Sequence, residues 1–255
     1  MAADVPFVLD RELLRGKVAV ITGASRGLGA GIAARFASYG VDVGLCARTE
    51  PAAPQGVRAL TGAFDITDAK AVDRFATAVA SHLGPIDMWI NNAGVLEPMG
   101  PQRLHQTADM YHSLAVNVGG VANGTQAFST RARGWVPARR VLVNISSGAA
   151  TSIYEGWSIY GAAKAAVNHF TEIIAAEEPG LLCYAVAPGL VDTDMQSEIR
   201  RQDARTFPAV DRFRQVAAEG AFNSPEWVAD HLLGLLAGTL APERVVYRVP
   251  DEPRP

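Results

Sequence analysis

A chain of 255 residues, 49% hydrophobic and 19% charged, has the size and apolar content for one sizeable domain with a substantial core, which excludes a disordered chain. A net charge of −3 gives no reason to expect nucleic acid as a partner. No apolar run approaches the ~18 residues of a membrane span, and residues 1–10 lack the basic start and long apolar stretch of a secretory leader, so a cytoplasmic protein is expected.

Short apolar runs alternate with longer stretches of helical period. Residues 1–15 form an N-terminal extension before the first strand, 17–21. The next residues are Thr22, Gly23, Ala24, Ser25, Arg26, Gly27, Leu28 and Gly29, opening a helix over 28–38. Glycines in such a strand–helix turn let backbone N–H groups approach a pyrophosphate, which the helix N-terminus also attracts. A second strand, 41–46, is followed by Ala47 and Arg48, where dinucleotide folds that take NAD usually carry an acid for the ribose hydroxyl. Arg48, with Arg26 as a second candidate, suits a 2′-phosphate instead, so NADP(H) is the expected cofactor.

Residues 49–57 leave no room for a crossover helix before a third strand at 58–63. Asp65 then either meets the adenine or caps the helix predicted over 68–82. A fourth strand spans 86–90, a long helix 108–131, and a fifth strand 140–145. A helix over 157–176, a strand at 181–186, a helix over 225–236 capped by Ser224, and a last strand at 245–249 complete the pattern. Alternating strands and helices predict an α/β, single-domain Rossmann-type doubly wound parallel sheet of about seven strands with helices on both faces. The domain runs over 16–250, with 251–255 as a tail. Its segment 192–223, long and charged in its middle, is either a lid over a site or a pair of solvated surface helices. Cys46 and Cys183 lie in apolar runs without spaced histidines, so they read as buried reduced thiols and no metal site is expected.

Tyr160 and Lys164, spaced i and i+4, share one face of the predicted helix. A lysine cation beside a phenol favours the phenolate, which lets the tyrosine exchange a proton with a carbonyl nearer neutral pH. Hydride transfer to a carbonyl also needs a second donor for the growing negative charge, and Asn144-Ile145-Ser146-Ser147 at a strand end supplies one.

With the glycine turn, Tyr160 and Lys164, the chain resembles the short-chain dehydrogenase/reductase family over residues 16–249. Further marks are Asn91-Asn92-Ala93-Gly94, Asn117, and Pro188-Gly189 followed by Thr193. The resemblance implies Tyr160 as acid/base, Lys164 on the nicotinamide ribose, Asn117 anchoring a water relay, and Ser147 rather than Ser146 as the substrate-side serine. It implies cofactor contacts by Gly23, Ser25, Gly27, Leu28, Gly29, Ile66, Asn92, Ala93, Gly94, Pro188, Gly189, Val191 and Thr193. It also implies a homodimer or homotetramer built on the 108–131 and 157–176 helices.

Tyr154-Glu155-Gly156-Trp157, residues 175–179 and residues 187–196 resemble the sepiapterin reductase and benzil reductase branches. The implied substrate is a small carbonyl compound with a ketone beside another oxygenated carbon, on a flat ring system. Tyr154, Trp157 and Leu190 would line its pocket, although the two aromatics fit helix or subunit packing equally. The last strand carries no acid of the kind that grips a pterin; Asp251 and Glu252 come just after it. The expected activity is NADPH-dependent reduction of a ketone or diketone to a secondary alcohol. The alternatives are a non-catalytic NADP(H) sensor and an NAD-linked alcohol dehydrogenase.

Overall fold

The computed structural model describes residues 5–132 and 139–254, so residues 1–4 of the expected extension and Pro255 of the tail lie outside the described residues. Seven parallel strands form one sheet: β1 (Val18–Thr22), β2 (Asp42–Ala47), β3 (Ala59–Ala63), β4 (Met88–Asn91), β5 (Val141–Ile145), β6 (Leu182–Ala187) and β7 (Val246–Arg248). Their order is β3-β2-β1-β4-β5-β6-β7, with every neighbouring pair parallel. All residues of β1, β4 and β5 are buried, as unbroken apolar runs in a sheet covered on both faces must be.

One face is covered by α2 (Gly27–Ser38) and α9 (Pro225–Ala237), which bring Ile32, Phe36, Leu232 and Leu236 into the core. A short α1 (Arg11–Leu14), capped by Asp10, buries Leu14 in the same cluster. The opposite face carries α3 (Ala69–His82) and the helices after β4, with Phe75, Val79 and Phe128 against Trp89 and Leu142. Asp68, not Asp65, caps α3 by accepting from Ala71 N at 3.0 Å. Ser224 caps α9 as expected, accepting from Trp227 N at 3.0 Å with Pro225 in the first turn. Among the described residues, no helix is long and apolar enough to cross a membrane. Cys46 and Cys183 are both buried and unpaired; burial pushes each thiol up to about 12, far from reactivity.

The helix expected over 108–131 is not uniform. It runs as α4 (Thr107–Leu114), a π-helical turn Ala115–Gly119, and α5 (Gly120–Ala132). The inserted residue lets Asn117 reach Val95, while Gly120 lies so close to Ile66 that a Cβ would stand 2.7 Å from Ile66 Cγ2. One extra residue in a turn barely disturbs an apolar pattern, so spacing alone reads as one helix. The α6 helix spans Ser158–Glu177, and α7 (Asp194–Arg200) and α8 (Val210–Ala218) occupy the 192–223 segment.

The strand order reverses between β1 and β4. The carboxyl ends of these strands therefore open a crevice, the usual binding place in such sheets. The helix that forms one wall, α2, is clamped to α9 by Arg35, whose Nε and Nη2 donate to the two oxygens of Asp230 at 2.7 and 2.8 Å. Asp230 is buried, and the carboxylate raises the Arg35 pKa through their hydrogen bond. Arg35→Met leaves that carboxylate buried without its partner and is expected to lower stability by about 3–5 kcal/mol. Urea denaturation checks this, and Arg35→Met/Asp230→Leu together should recover most of the loss.

Candidate active site

A single cleft of about 910 Å³ opens along the carboxyl edge of the sheet. Every residue to which the sequence analysis gives a catalytic, cofactor or pocket role lines it, except Asn117. At one end lies the turn after β1. Gly23 and Gly27 have positive φ of 67° and 58°, which side chains resist. A Cβ on Gly29 would run into Gly23 O and stand 2.6 Å from Asn92 Nδ2, so only glycine lets the turn fold this tightly. Asn92 closes the turn, donating to Thr22 O at 2.9 Å and Gly23 O at 3.2 Å. Thr22 Oγ1 accepts in return from Asn92 N and Ala93 N, both at 3.0 Å. The α2 helix has no side-chain cap and no acid in its first turn, so its N-terminal N–H groups face the cleft ready for an anion. A dinucleotide phosphate fits this cradle.

Arg48 is exposed beyond β2 and makes no ion pair among the described residues. Arg26 instead pairs with Asp194 at 2.6 Å, across the mouth of the cleft from the glycine turn to the start of α7. Glu50, two residues past Arg48, is turned away to accept from Thr61 Oγ1. Asp65 folds into its own turn, accepting from Thr67 N and Oγ1 at 2.8 Å each; the backbone bond chiefly lowers its pKa, with Arg48 nearby helping. Ile66 is buried beside it.

At the other end stand Ser147, Tyr160 and Lys164. Lys164 is buried, and its Nζ donates to Ile145 O at 2.8 Å. Burial alone pulls its pKa down to about 8. Its Nζ lies 5.7 Å from the Tyr160 ring centroid. Burial raises the Tyr160 pKa, and a hydrogen bond with Ser147 opposes the rise. Ser146 points elsewhere, donating to Asn168 Oδ1. Asn117 sits just behind the cleft wall, where its Oδ1 accepts from Val95 N at 3.1 Å and its Nδ2 donates to Val95 O at 2.8 Å. Its side chain thus fixes the π turn and the loop after β4, and makes no hydrogen bond to Lys164. Gly94 passes between them: a Cβ there would lie 2.9 Å from Asn117 Oδ1 and 3.8 Å from Lys164 Nζ.

Beyond β6, Gly189 has φ of 78°, and a Cβ on it would stand 2.6 Å from Asn223 Nδ2. Asn223 donates to Pro188 O at 2.9 Å, and Val191 bridges to it, tying this loop to the end of the 192–223 segment. Thr193 starts α7 directly over Gly27. The segment is neither a pair of solvated helices nor free of the body. Its inner residues Ile199, Phe207, Val210 and Phe213 are buried against Leu96, Trp157 and Tyr160, while Arg214 and Asp211 face outward. Trp157 stacks on Phe207 at 4.6 Å and lies 5.0 Å from Tyr154. Tyr154 and Trp157 therefore pack and line the cleft at once, and Leu190 joins the same cluster. Asp251 pairs with Arg248, and Glu252 accepts from Ser224 N at 2.6 Å, so both acids at the cleft rim are engaged in structure. Phe213 and Asn223 line the cleft although no motif marks them; only the chain's return over the sheet brings them in.

The chain matches the short chain dehydrogenase family model over residues 17–204, and it belongs to that family. It is 32% identical to the (S)-benzoin-forming benzil reductase of Bacillus cereus, over 91% of this chain and 98% of that one. It is 33% identical to a benzil reductase of Saccharomyces cerevisiae, over 83% of this chain and 86% of the other. A solved short-chain dehydrogenase/reductase from the same yeast superposes with a TM-score of 0.81 at 27% identity, covering 92% of this chain and 96% of its own. The protein is an oxidoreductase of this family, whose members use nicotinamide cofactors on alcohol and carbonyl groups of small molecules.

The roof is docked through Gly156, whose φ is 90° and where a Cβ would meet Thr206 O at 2.7 Å. Gly156→Ala is expected to cost about 1–3 kcal/mol in strain and to loosen the segment. A lowered melting temperature, with faster proteolytic cleavage between residues 200 and 210, checks this.

Proposed function

We propose that this protein is an NADPH-dependent carbonyl reductase that turns an aromatic ketone or diketone into a secondary alcohol, with Tyr160 as general acid. The observation that carries the proposal is the convergence of the Tyr160 phenol, the Ser147 hydroxyl and the Lys164 ammonium in one cleft with the glycine cradle. Bound NADPH supplies the hydride. The glycine turn and α2 would hold its phosphates, and Lys164, Asn92, Gly94 and Thr193 would meet its nicotinamide half.

Burial suits Tyr160 to the reductive direction, because it keeps the phenol protonated and loaded as an acid. Tyr160 gives that proton to the carbonyl oxygen while Ser147 donates a second hydrogen bond to it. The Lys164 cation stabilises the phenolate that remains, in a setting where water does not weaken the attraction. Asn117 acts by fixing the wall behind Lys164. The benzil reductases among the relatives, together with the ring-lined end formed by Tyr154, Trp157 and Leu190, support a substrate with a flat aromatic group. Exposed Tyr111 on α4 and Ile173 on α6 support assembly of like subunits through these helices, as a homodimer or homotetramer.

Tyr160→Phe is expected to reduce turnover by a factor on the order of 10² or more while cofactor binding persists. Benzil reduction followed by NADPH absorbance, beside cofactor titration by fluorescence, tests it; near-parental turnover refutes the assignment. One observation favours NADH as a second reading: Arg26 is held by Asp194, leaving Arg48 alone to meet a 2′-phosphate. Arg48→Ala should therefore raise the Kd for NADPH roughly ten-fold or more and leave that for NADH nearly unchanged. Equal changes for both cofactors would favour the second reading.

A further inference from the structure

Buried indole N–H groups nearly always find an acceptor, because leaving one unpaired is costly. Two other tryptophans follow the rule: Trp89 Nε1 donates to Asn91 Oδ1 and Trp227 Nε1 to Pro250 O, each at 2.8 Å. Trp157 does not. Among the described residues, Trp157 Nε1 and Gln196 Oε1 are the buried side-chain polar atoms without a hydrogen-bond partner. Both residues are more than nine-tenths buried, and both line the cleft. Of the two, the Trp157 donor belongs to the aromatic cluster beside Tyr160, where a polar ligand could meet it.

Trp157 is placed to act on the reacting centre. It sits one helical turn before Tyr160, with ring centroids 5.5 Å apart. Its faces are held by Phe207 at 4.6 Å and Phe213 at 5.4 Å, both from the roof segment. An oxygen that reaches the indole N–H must shift that segment, so substrate entry and repacking of the roof are coupled.

We propose that the Trp157 indole N–H donates to a second oxygen beside the reacting carbonyl, making Trp157 the residue that selects 1,2-dicarbonyl compounds over simple ketones. The proposal rests on the carbonyl reductase reading above. While Tyr160 and Ser147 take the oxygen that is reduced, Trp157 takes its neighbour. A monoketone of the same skeleton leaves the N–H unpaired and forfeits that bond, the usual way a buried donor discriminates between substrates.

The test compares benzil with 1,2-diphenylethanone, which lacks only the second oxygen, in the parent and in Trp157→Phe, which keeps an aromatic ring against Phe207. In the variant kcat/KM for benzil should fall on the order of ten-fold further than that for the monoketone, whatever loss of ring contact the two substrates share. Equal loss on both substrates shows a packing role and overturns the proposal, as does no loss on either. A parent inactive on both ketones with either cofactor overturns the reductase reading itself and the proposal with it. A second measurement needs no variant. In ¹⁵N-indole-labelled parent with oxidised cofactor, one indole N–H resonance should move downfield on adding benzil and stay in place with the monoketone. The same response to both ligands, or to neither, overturns the proposal.

Discussion

The site depends on one buried cation. Lys164 keeps its ammonium inside the protein with, among the described residues, a single hydrogen bond, to Ile145 O at 2.8 Å. Burying a charge so sparsely paired is unfavourable, which is why its pKa falls to about 8. A cation so weakly satisfied has donor capacity to spare, and that capacity faces the cleft. Each neighbour is arranged around it. The β5 strand ends where its last carbonyl can meet the ammonium. Gly94 carries no side chain that would press on Asn117 Oδ1, 2.9 Å from where its Cβ would stand. Asn117 closes the wall behind through two bonds to Val95. Tyr160, one turn earlier on α6, has its ring centroid 5.7 Å from that ammonium.

The same economy holds at the dinucleotide end. There the polar groups are mostly backbone, and their orientation is fixed by glycines and by Asn92. Because β1 and β4 are neighbours at the point where strand order reverses, the β1 turn and the Asn92 loop touch without any long connection. Thr22, on β1, bonds the first two N–H groups of that loop, so the turn and the catalytic half of the cleft are held as one piece.

The parallel sheet was legible because each strand is a short apolar run and each helix has a clear period; boundaries moved by only a residue or two. The cleft lining was also legible wherever an unusual residue stands at a fixed spacing: Gly23, Gly27 and Gly29 in the turn, Tyr160 and Lys164 along one helix face, and Ser147 at a strand end. Three things were hidden. The π turn at Asn117 leaves the apolar pattern almost unchanged. The Arg26–Asp194 pair joins residues distant in the chain through exposed side chains, and no local pattern records it. Phe207 and Phe213 sit in a segment that is charged in its middle, and no local pattern ties them to Trp157 until the chain folds back over it.

That fold-back settles how two readings of the aromatic residues can both hold. Tyr154 and Trp157 are walls of the cleft and also the floor on which the roof is packed. A purely structural cluster would bury its polar atoms with partners, as Trp89 and Trp227 do. A purely ligand-facing cluster would leave the rings exposed. Trp157 does neither: its ring is fully packed and its N–H is unmatched. The 192–223 segment therefore packs over an incomplete set of interactions, and on the proposed reading a ligand that supplies the missing acceptor must repack that segment to reach it. On that proposal, recognition of the substrate and the packing over Tyr160 and Lys164 draw on the same contact.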